Sequence, residues 1–151
     1  MVDIVDKKTR SRMMSGIRSN NTKPEILVRK ALHKRGYRFR LDSKIGKIKP
    51  DIVLPKYKIA IFVHGCYWHQ HSGCKLAYSD RPRSEKWEKK FQTNIARDKR
   101  VIQQLLSEGW RVAVIWECST RQPEELERIV NGFNHWVKKE EIEYFEDKFR
   151  K

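Results

Sequence analysis

The chain has little with which to staple or anchor itself. Three cysteines in 151 residues cannot all pair, and two of them share a histidine-rich stretch. That excludes a disulfide framework and points to a reducing compartment and a metal. No hydrophobic segment approaches the ~20 residues of a membrane span, and Met1-Val2-Asp3-Ile4-Val5-Asp6 lacks the apolar stretch of a secretion signal. The expectation is a soluble, cytoplasmic protein. Internal repeats and low-complexity linkers are missing as well. A chain of 151 residues buries one core unaided, so the expected organisation is a single domain over 1–151. Within it, residues 1–21 carry, beyond Val5, only Met13, Met14 and Ile17 as an apolar set. They are expected to form a basic arm, not part of the core.

Acidic residues are the other scarcity, and a local one. Between Lys7 and Lys49, fifteen basic residues stand against Glu25 and Asp42 alone. From Val101 onward ten acids face eight bases, and the whole chain carries a formal charge of +15. So lopsided a surplus is the electrostatic footprint of a polyanion binder, and nucleic acid is the partner it fits. An anionic membrane fits less well, because no strongly amphipathic basic helix is evident.

What the chain does have is a cluster. His64-Gly65-Cys66-Tyr67-Trp68-His69-Gln70-His71-Ser72-Gly73-Cys74 holds three of the five histidines and two of the three cysteines. Cys66-x4-His71-x2-Cys74 offers three borderline-to-soft ligands at loop spacing. Cys118, distant in sequence, can close a tetrahedral Cys3His zinc site. His64 and His69 are then left over beside two aromatic residues. The plainer alternative makes the cysteines small buried hydrophobes and the histidines incidental, which fits one such residue better than five in eleven positions.

Periodicity places this cluster in a fold. Thr22-Lys23-Pro24-Glu25 reads as a capped helix start. Leu27, Val28, Ala31 and Leu32 form its buried stripe, and Gly36 ends it. Tyr37–Leu41 alternates as a strand, Lys44–Lys47 turns the chain, and Asp51–Leu54 and Ile59–Val63 read as further strands, the last of them central. Ser84 opens a long helix that Gly109 stops. Arg111–Trp116 is a buried strand, and Leu126 to Val137 marks a final amphipathic helix. The expected fold is α/β, a mixed central sheet flanked by helices. If the late strand lies beside Ile59–Val63, Cys118 reaches the cysteine–histidine loop.

Pro50-Asp51 opens the hairpin beneath this basic surface. An acid there suits a hard cation such as Mg2+, which activates water and neutralises charge during phosphodiester cleavage. Glu25 and Asp98 are the other candidate acids. Each has a plainer role open to it: Pro-Asp is a common turn dipeptide, Glu25 can cap its helix, and Asp98 can pair with a neighbouring Arg97 or Lys99.

With these motifs the chain resembles the very-short-patch mismatch repair endonucleases of the PD-(D/E)xK nuclease superfamily. The resemblance runs from Asp6-Lys7-Lys8-Thr9-Arg10-Ser11 and Met14-x-x-Ile17 to Trp116-Glu117-Cys118. Its most specific block is Pro50-Asp51 with Ile61-Phe62-Val63-His64-Gly65-Cys66-Tyr67-Trp68-His69-x-His71, joined by Asn94-x-x-Arg97-Asp98. It implies a restriction-endonuclease-like fold with a structural zinc. The implied activity is nicking of double-stranded DNA 5′ of the thymine in a T·G mismatch. By matched position, Asp51 and the Val63 carbonyl would hold magnesium, His69 would be the acid/base residue, and His64 and Asp98 would organise bound waters. Cys66, His71, Cys74 and Cys118 would hold zinc. Two departures stand out. Phe62-Val63-His64 replaces the superfamily's acid-x-Lys, and Val63 stands where the family pattern has threonine.

The aromatic residues suit this reading. Tyr67, Trp68 and Trp87 can wedge and stack between bases, while Met14 and Ile17 can insert from the minor-groove side. Arg10 and Arg12 in the arm add phosphate contacts. Trp87 can equally be core packing for Phe91. Monomeric action is expected, since nicking one strand needs one active site, and other mismatch-repair proteins are implied as further partners. Two rival functions remain open to the sequence: a restriction-type nuclease of the same fold acting on matched DNA, and a zinc DNA-binding module without catalysis. The module has no use for Asp51 or His69.

Overall fold

Thr22 begins the described part of the chain, which comprises residues 22–77, 84–139 and 141–146 of a computed structural model. Its hydroxyl accepts from the Glu25 amide at 3.5 Å and starts helix α1 (Lys23–Lys34) with Pro24 in the first turn. Gly36, at φ +86°, ends that helix. β1 (Ile52–Leu54) and β2 (Ile59–His64) are antiparallel, with Ile52 opposite Ile61. Pro55–Tyr57 and a left-handed Lys58 make the turn between them. α2 (Glu85–Ser107), capped by Ser84, crosses over to β3 (Arg111–Trp116), which runs parallel to β2 and sets Trp116 beside His64. α3 (Pro123–Lys138) leads to β4 (Tyr144–Glu146), again parallel. The sheet order is β1-β2-β3-β4.

The apolar runs of β2 and β3 bury both faces of the sheet, as strands with helices on each side must. Ile59, Ile61, Val63, Ala113 and Ile115 point toward α1 and α3, packing on Val28, Leu32, Ile129 and Phe133. Ala60, Val112, Val114 and Trp116 point the other way, onto Leu105 of α2 and toward Cys66 and Cys74. The period of two therefore puts His64 on the α2 face, together with Trp116 and the cysteines. None of the described helices is long and apolar enough to cross a membrane.

Two expectations need correction. Tyr37–Leu41 is not a full strand: only Arg40 bridges to Val53, with N–H to O distances of 2.8 and 3.0 Å. β1 is three residues long, and Asp42, at φ +57°, turns the chain away two residues later. Tyr37 instead packs against Phe133 at 5.6 Å and donates its hydroxyl hydrogen bond to Asn134. The element order also gains β4, in a tail whose sequence gave no strand signal. Arg111 makes that tail dock. Its guanidinium lies 4.1 Å from the Trp136 ring centre and donates to the carbonyls of Trp136, Val137, Lys139 and Ile142. The carbonyls at the end of α3 and just beyond it thus find a cation.

Candidate active site

A cleft of 1480 Å3 opens between the N-terminal end of α1, the 44–49 hairpin, the carboxyl end of β2 and the side of α2 that runs from Trp87 to Ile102. Asp51, just before β1, lies on its floor. Pairing of β1 with β2 brings the Asp51 carboxylate to the Val63 amide, which donates to Oδ2 at 2.7 Å. Burial pushes the Asp51 carboxyl up to about 6. The Val63 hydrogen bond, His69 and Arg29 pull it down, and Glu25 pushes it further up. Glu25, itself buried, lines the same cleft and pairs with Arg29 at 3.2 Å. A largely buried carboxylate, with one oxygen used by an amide, suits a hard cation as its remaining partner.

Next along the floor is a three-residue group. Asp98, on α2, meets His69 Nδ1 at 2.7 Å. Nε2 of His69 is then the nitrogen left to accept a proton. His64 lies flat against His69, ring centres 4.0 Å apart and planes 6° apart. Burial, then the neighbouring His69, lowers His64 to about 3, so it is neutral near pH 7. Donor atoms of His64, His69 and Asp98 lie within 4.8 Å of one another. Parallel stacked imidazoles nevertheless cannot both aim in-plane lone pairs at one ion, so this geometry favours proton transfer over shared ligation.

The loop from Gly65 to Cys74 separates two jobs. Its amides are used internally: His69 N donates to Gly65 O at 3.1 Å and His71 N to Cys66 O at 2.9 Å. Gln70 takes a left-handed φ of +49°, unusual for a side chain of its size. That reversal lets His69 face the cleft while His71 faces the cysteines. His71 Nδ1 lies 3.7 Å from Cys66 Sγ and 3.5 Å from Cys118 Sγ. A tetrahedral zinc with ordinary Zn–S and Zn–N bonds has S···N edges of about 3.6 Å. Cys74 completes a group whose four donor atoms lie within 4.8 Å of one another. Gly73, at φ +73°, makes the turn that returns Cys74 to the cluster. The Cys118 amide points at Cys66 Sγ from 3.4 Å, as a donor to a thiolate does. Without a cation these thiols must share protons: the Cys66–Cys118 contact lowers Cys118 to about 6 and raises Cys66. The donor set fits zinc.

Aromatic residues form one wall. Trp68 and Trp87 are 43% and 41% exposed, unusual for tryptophan, and stand 5.6 Å apart. Lys90 sits over both rings, at 5.5 and 5.3 Å. Tyr67 is half-buried and packs edge-on against Phe91 at 5.1 Å. Met14, Ile17, Arg10 and Arg12 lie outside the described residues.

Three contributors to the site were not singled out from sequence. Asn94 is buried and donates to the Trp68 carbonyl at 3.1 Å, fixing the loop from α2. Glu117 accepts from the Cys66 amide at 3.3 Å. Trp116 stacks on His71 at 4.1 Å with planes 6° apart. All three fall within motifs already noted, but their roles depend on contacts across the fold.

A family model described as DNA mismatch endonuclease Vsr matches residues 2–75. The chain is 46% identical over 118 residues to the type II nicking enzyme V.XorIIP of Xanthomonas oryzae pv. oryzae, an overlap of 78% of this chain and 86% of that protein. It is 40% identical to the type II nicking enzyme V.NmeAIP of Neisseria meningitidis, over 86% of this chain and 95% of the relative. It is 37% identical to the DNA mismatch endonuclease Vsr of Escherichia coli, over 91% and 88%. Among solved structures, the catalytic domain of the homing endonuclease I-Bth0305I superposes with a TM-score of 0.52 at 20% identity, covering 78% of this chain and 98% of that one. At that identity the likeness speaks for the fold alone.

Proposed function

The chain belongs to the Vsr family of DNA mismatch endonucleases, and on that premise we propose that it nicks duplex DNA 5′ of the thymine in a T·G mismatch by magnesium-assisted hydrolysis. The observation that carries the chemistry is the juxtaposition, in one cleft, of half-buried Asp51 with the His69–Asp98 pair. A zinc-binding module without catalysis has no use for either.

Asp51 and the Val63 carbonyl would hold the magnesium, which when bound supplies Lewis-acid stabilisation of charge on the phosphate. His69 takes the proton of the attacking water at Nε2, while Asp98 fixes its tautomer and stabilises the imidazolium that results. His64, neutral and buried, presents a ring nitrogen to water at the cleft floor without adding positive charge. Glu25 accepts a hydrogen bond from Arg29 and adds negative charge near Asp51. Cys66, His71, Cys74 and Cys118 would hold zinc and fix the loop that carries His69.

The mismatch is selected by what it costs to open. Trp68 and Trp87, exposed together beneath Lys90, supply stacking faces, and each base–ring stack contributes roughly 1–3 kcal/mol. A T·G pair surrenders part of its stacking in advance, so the wedge opens it more cheaply than a matched pair. The arm at 1–21, with Met14, Ile17, Arg10 and Arg12, approaches from the other groove, and Tyr67 buttresses Trp68. The exposed face of α1 supports the same partner: Lys23 lines the cleft, and Lys30 and Lys34 continue the face into a neighbouring groove. The protein acts as a single-domain monomer on DNA in the bacterial cytoplasm, in keeping with its bacterial relatives.

Separation of chemistry from binding tests this reading. Asp51→Asn and His69→Ala should each slow nicking at saturating duplex by about 100-fold or more, with duplex affinity nearly intact because the basic surface dominates it. Turnover at the wild-type rate in either variant would dismiss the proposed active site.

A further inference from the structure

We propose that Trp116, anchored by Glu146 of β4, is the positioning residue that sets the pose of the His64 ring and, through it, of His69. The inference rests on the hydrolytic reading of the cleft. An imidazole at a working site normally takes its orientation from a hydrogen bond at one nitrogen. His69 has one, to Asp98, and His71 turns Nδ1 to Cys66 and Cys118. His64 is different. It is 6% exposed, and its Nδ1 is buried with no hydrogen-bond partner among the described residues. Packing must orient it.

Three rings do the packing: His69 flat at 4.0 Å, Trp116 edge-on at 5.1 Å and 74°, and Phe62 tilted at 6.0 Å. His69 is a partner in the same chemistry, and Phe62 is only half-buried on the cleft side. Trp116 is the ring fixed from elsewhere. Strand register places it beside His64. Its Nε1 donates to Glu146 Oε2 at 2.6 Å, and the Tyr144 hydroxyl donates to Glu146 Oε1 at 2.8 Å. Its face lies on His71 at 4.1 Å. One indole thus joins the zinc-ligand histidine, the cleft histidines and the last strand. The carboxylate that fixes it lies outside both sites.

The test compares Trp116→Leu, Trp116→Phe and Glu146→Met. Zinc content, duplex affinity, single-turnover nicking at saturating duplex, and histidine ring resonances of isotope-labelled protein are measured for each. Trp116→Leu should lose roughly 10–100-fold in nicking rate with zinc content and affinity unchanged, and Trp116→Phe should recover most of that loss. Glu146→Met should fall between them. In the Met variant, which keeps the indole and its ring current, the His64 and His69 resonances move, while those of exposed His33 and His135 stay in place. A wild-type rate in Trp116→Leu overturns the proposal, as does loss of zinc in step with rate. Should Trp116→Leu not fold, Glu146→Met decides: unmoved His64 resonances with zinc retained overturn it too. The resonances report ring pose without turnover. A wild type that fails to nick T·G duplexes would therefore remove the functional reading and leave the positioning result standing.

Discussion

Asp51 is the residue at which the fold and the proposed chemistry pull in opposite directions. Burial raises its carboxyl to about 6, above its value in the unfolded chain, so the folded state holds that proton more tightly. The sign follows: this stabilisation is complete at pH below about 4 and is lost as pH rises through about 6. Ionised Asp51 then costs the magnesium-free fold roughly 3 kcal/mol at pH 7. His64 opposes it, because a histidine lowered to about 3 adds stability that is present above pH 6.5 and lost as pH falls toward 3. The two slopes overlap, so a variant comparison isolates the carboxylate. Asp51→Asn keeps an acceptor for the Val63 amide. Its melting temperature without magnesium should match wild type at pH 4 and exceed it by several degrees at pH 7. Differential calorimetry across that range checks this, and a lower melting temperature at pH 7 would contradict it. At this scale the run of metal- and proton-handling residue types was legible in the sequence, and the fold brings those side chains together. The sequence was silent on pose. Nothing in the spacing of His64 and His69 shows that their rings stack, or that Asn94 and Glu117 hold the loop.

At the scale of elements, capping and turn chemistry made the boundaries legible. Thr22, Ser84, Gly36 and Gly109 start and stop helices where their side chains and backbone freedom require. The two failures are short strands. Tyr37–Leu41 alternates correctly, but a three-residue partner cannot sustain a ladder. β4 is stabilised by Arg111 and by Phe145 packing on Trp136 at 5.6 Å, contacts absent from any local pattern. Two predictions belong here. If the loop after β2 and the turn after β3 share one zinc, Cys118→Ser should lower metal content from about one ion per chain and reduce thermal stability. Full zinc retention by elemental analysis would remove Cys118 from the centre. If the exposed face of α1 tracks phosphates, Lys30→Glu with Lys34→Glu should reduce the slope of log K against log salt by about 2. The cleavage rate at saturating DNA should not change. An unchanged slope would detach α1 from the DNA.

For the whole molecule, charge and topology tell one story. The parallel pairing of β2 with β3 brings Cys118 from far along the chain to the His64–Cys74 loop. The carboxyl end of the two central strands thereby carries both the candidate zinc ligands and the cleft. The sequence supplied this only conditionally, because strand adjacency is a tertiary fact. Positive charge is concentrated before residue 50, and from that stretch Lys23 of α1 and Lys47 and Lys49 of the hairpin line the cleft. The central claim is that this surface presents a mismatched duplex to a single hydrolytic site. Its most direct test is the rate of nicking on strand-labelled duplexes that differ only in a T·G or T·A pair, with and without magnesium, over several flanking sequences and salt concentrations. The account predicts magnesium-dependent cleavage of the thymine strand alone, 5′ of the mismatch, faster on T·G than on T·A by about 100-fold or more, as a few kcal/mol of unstacking cost requires. Equal rates on the two duplexes, or cutting of both strands, would contradict it.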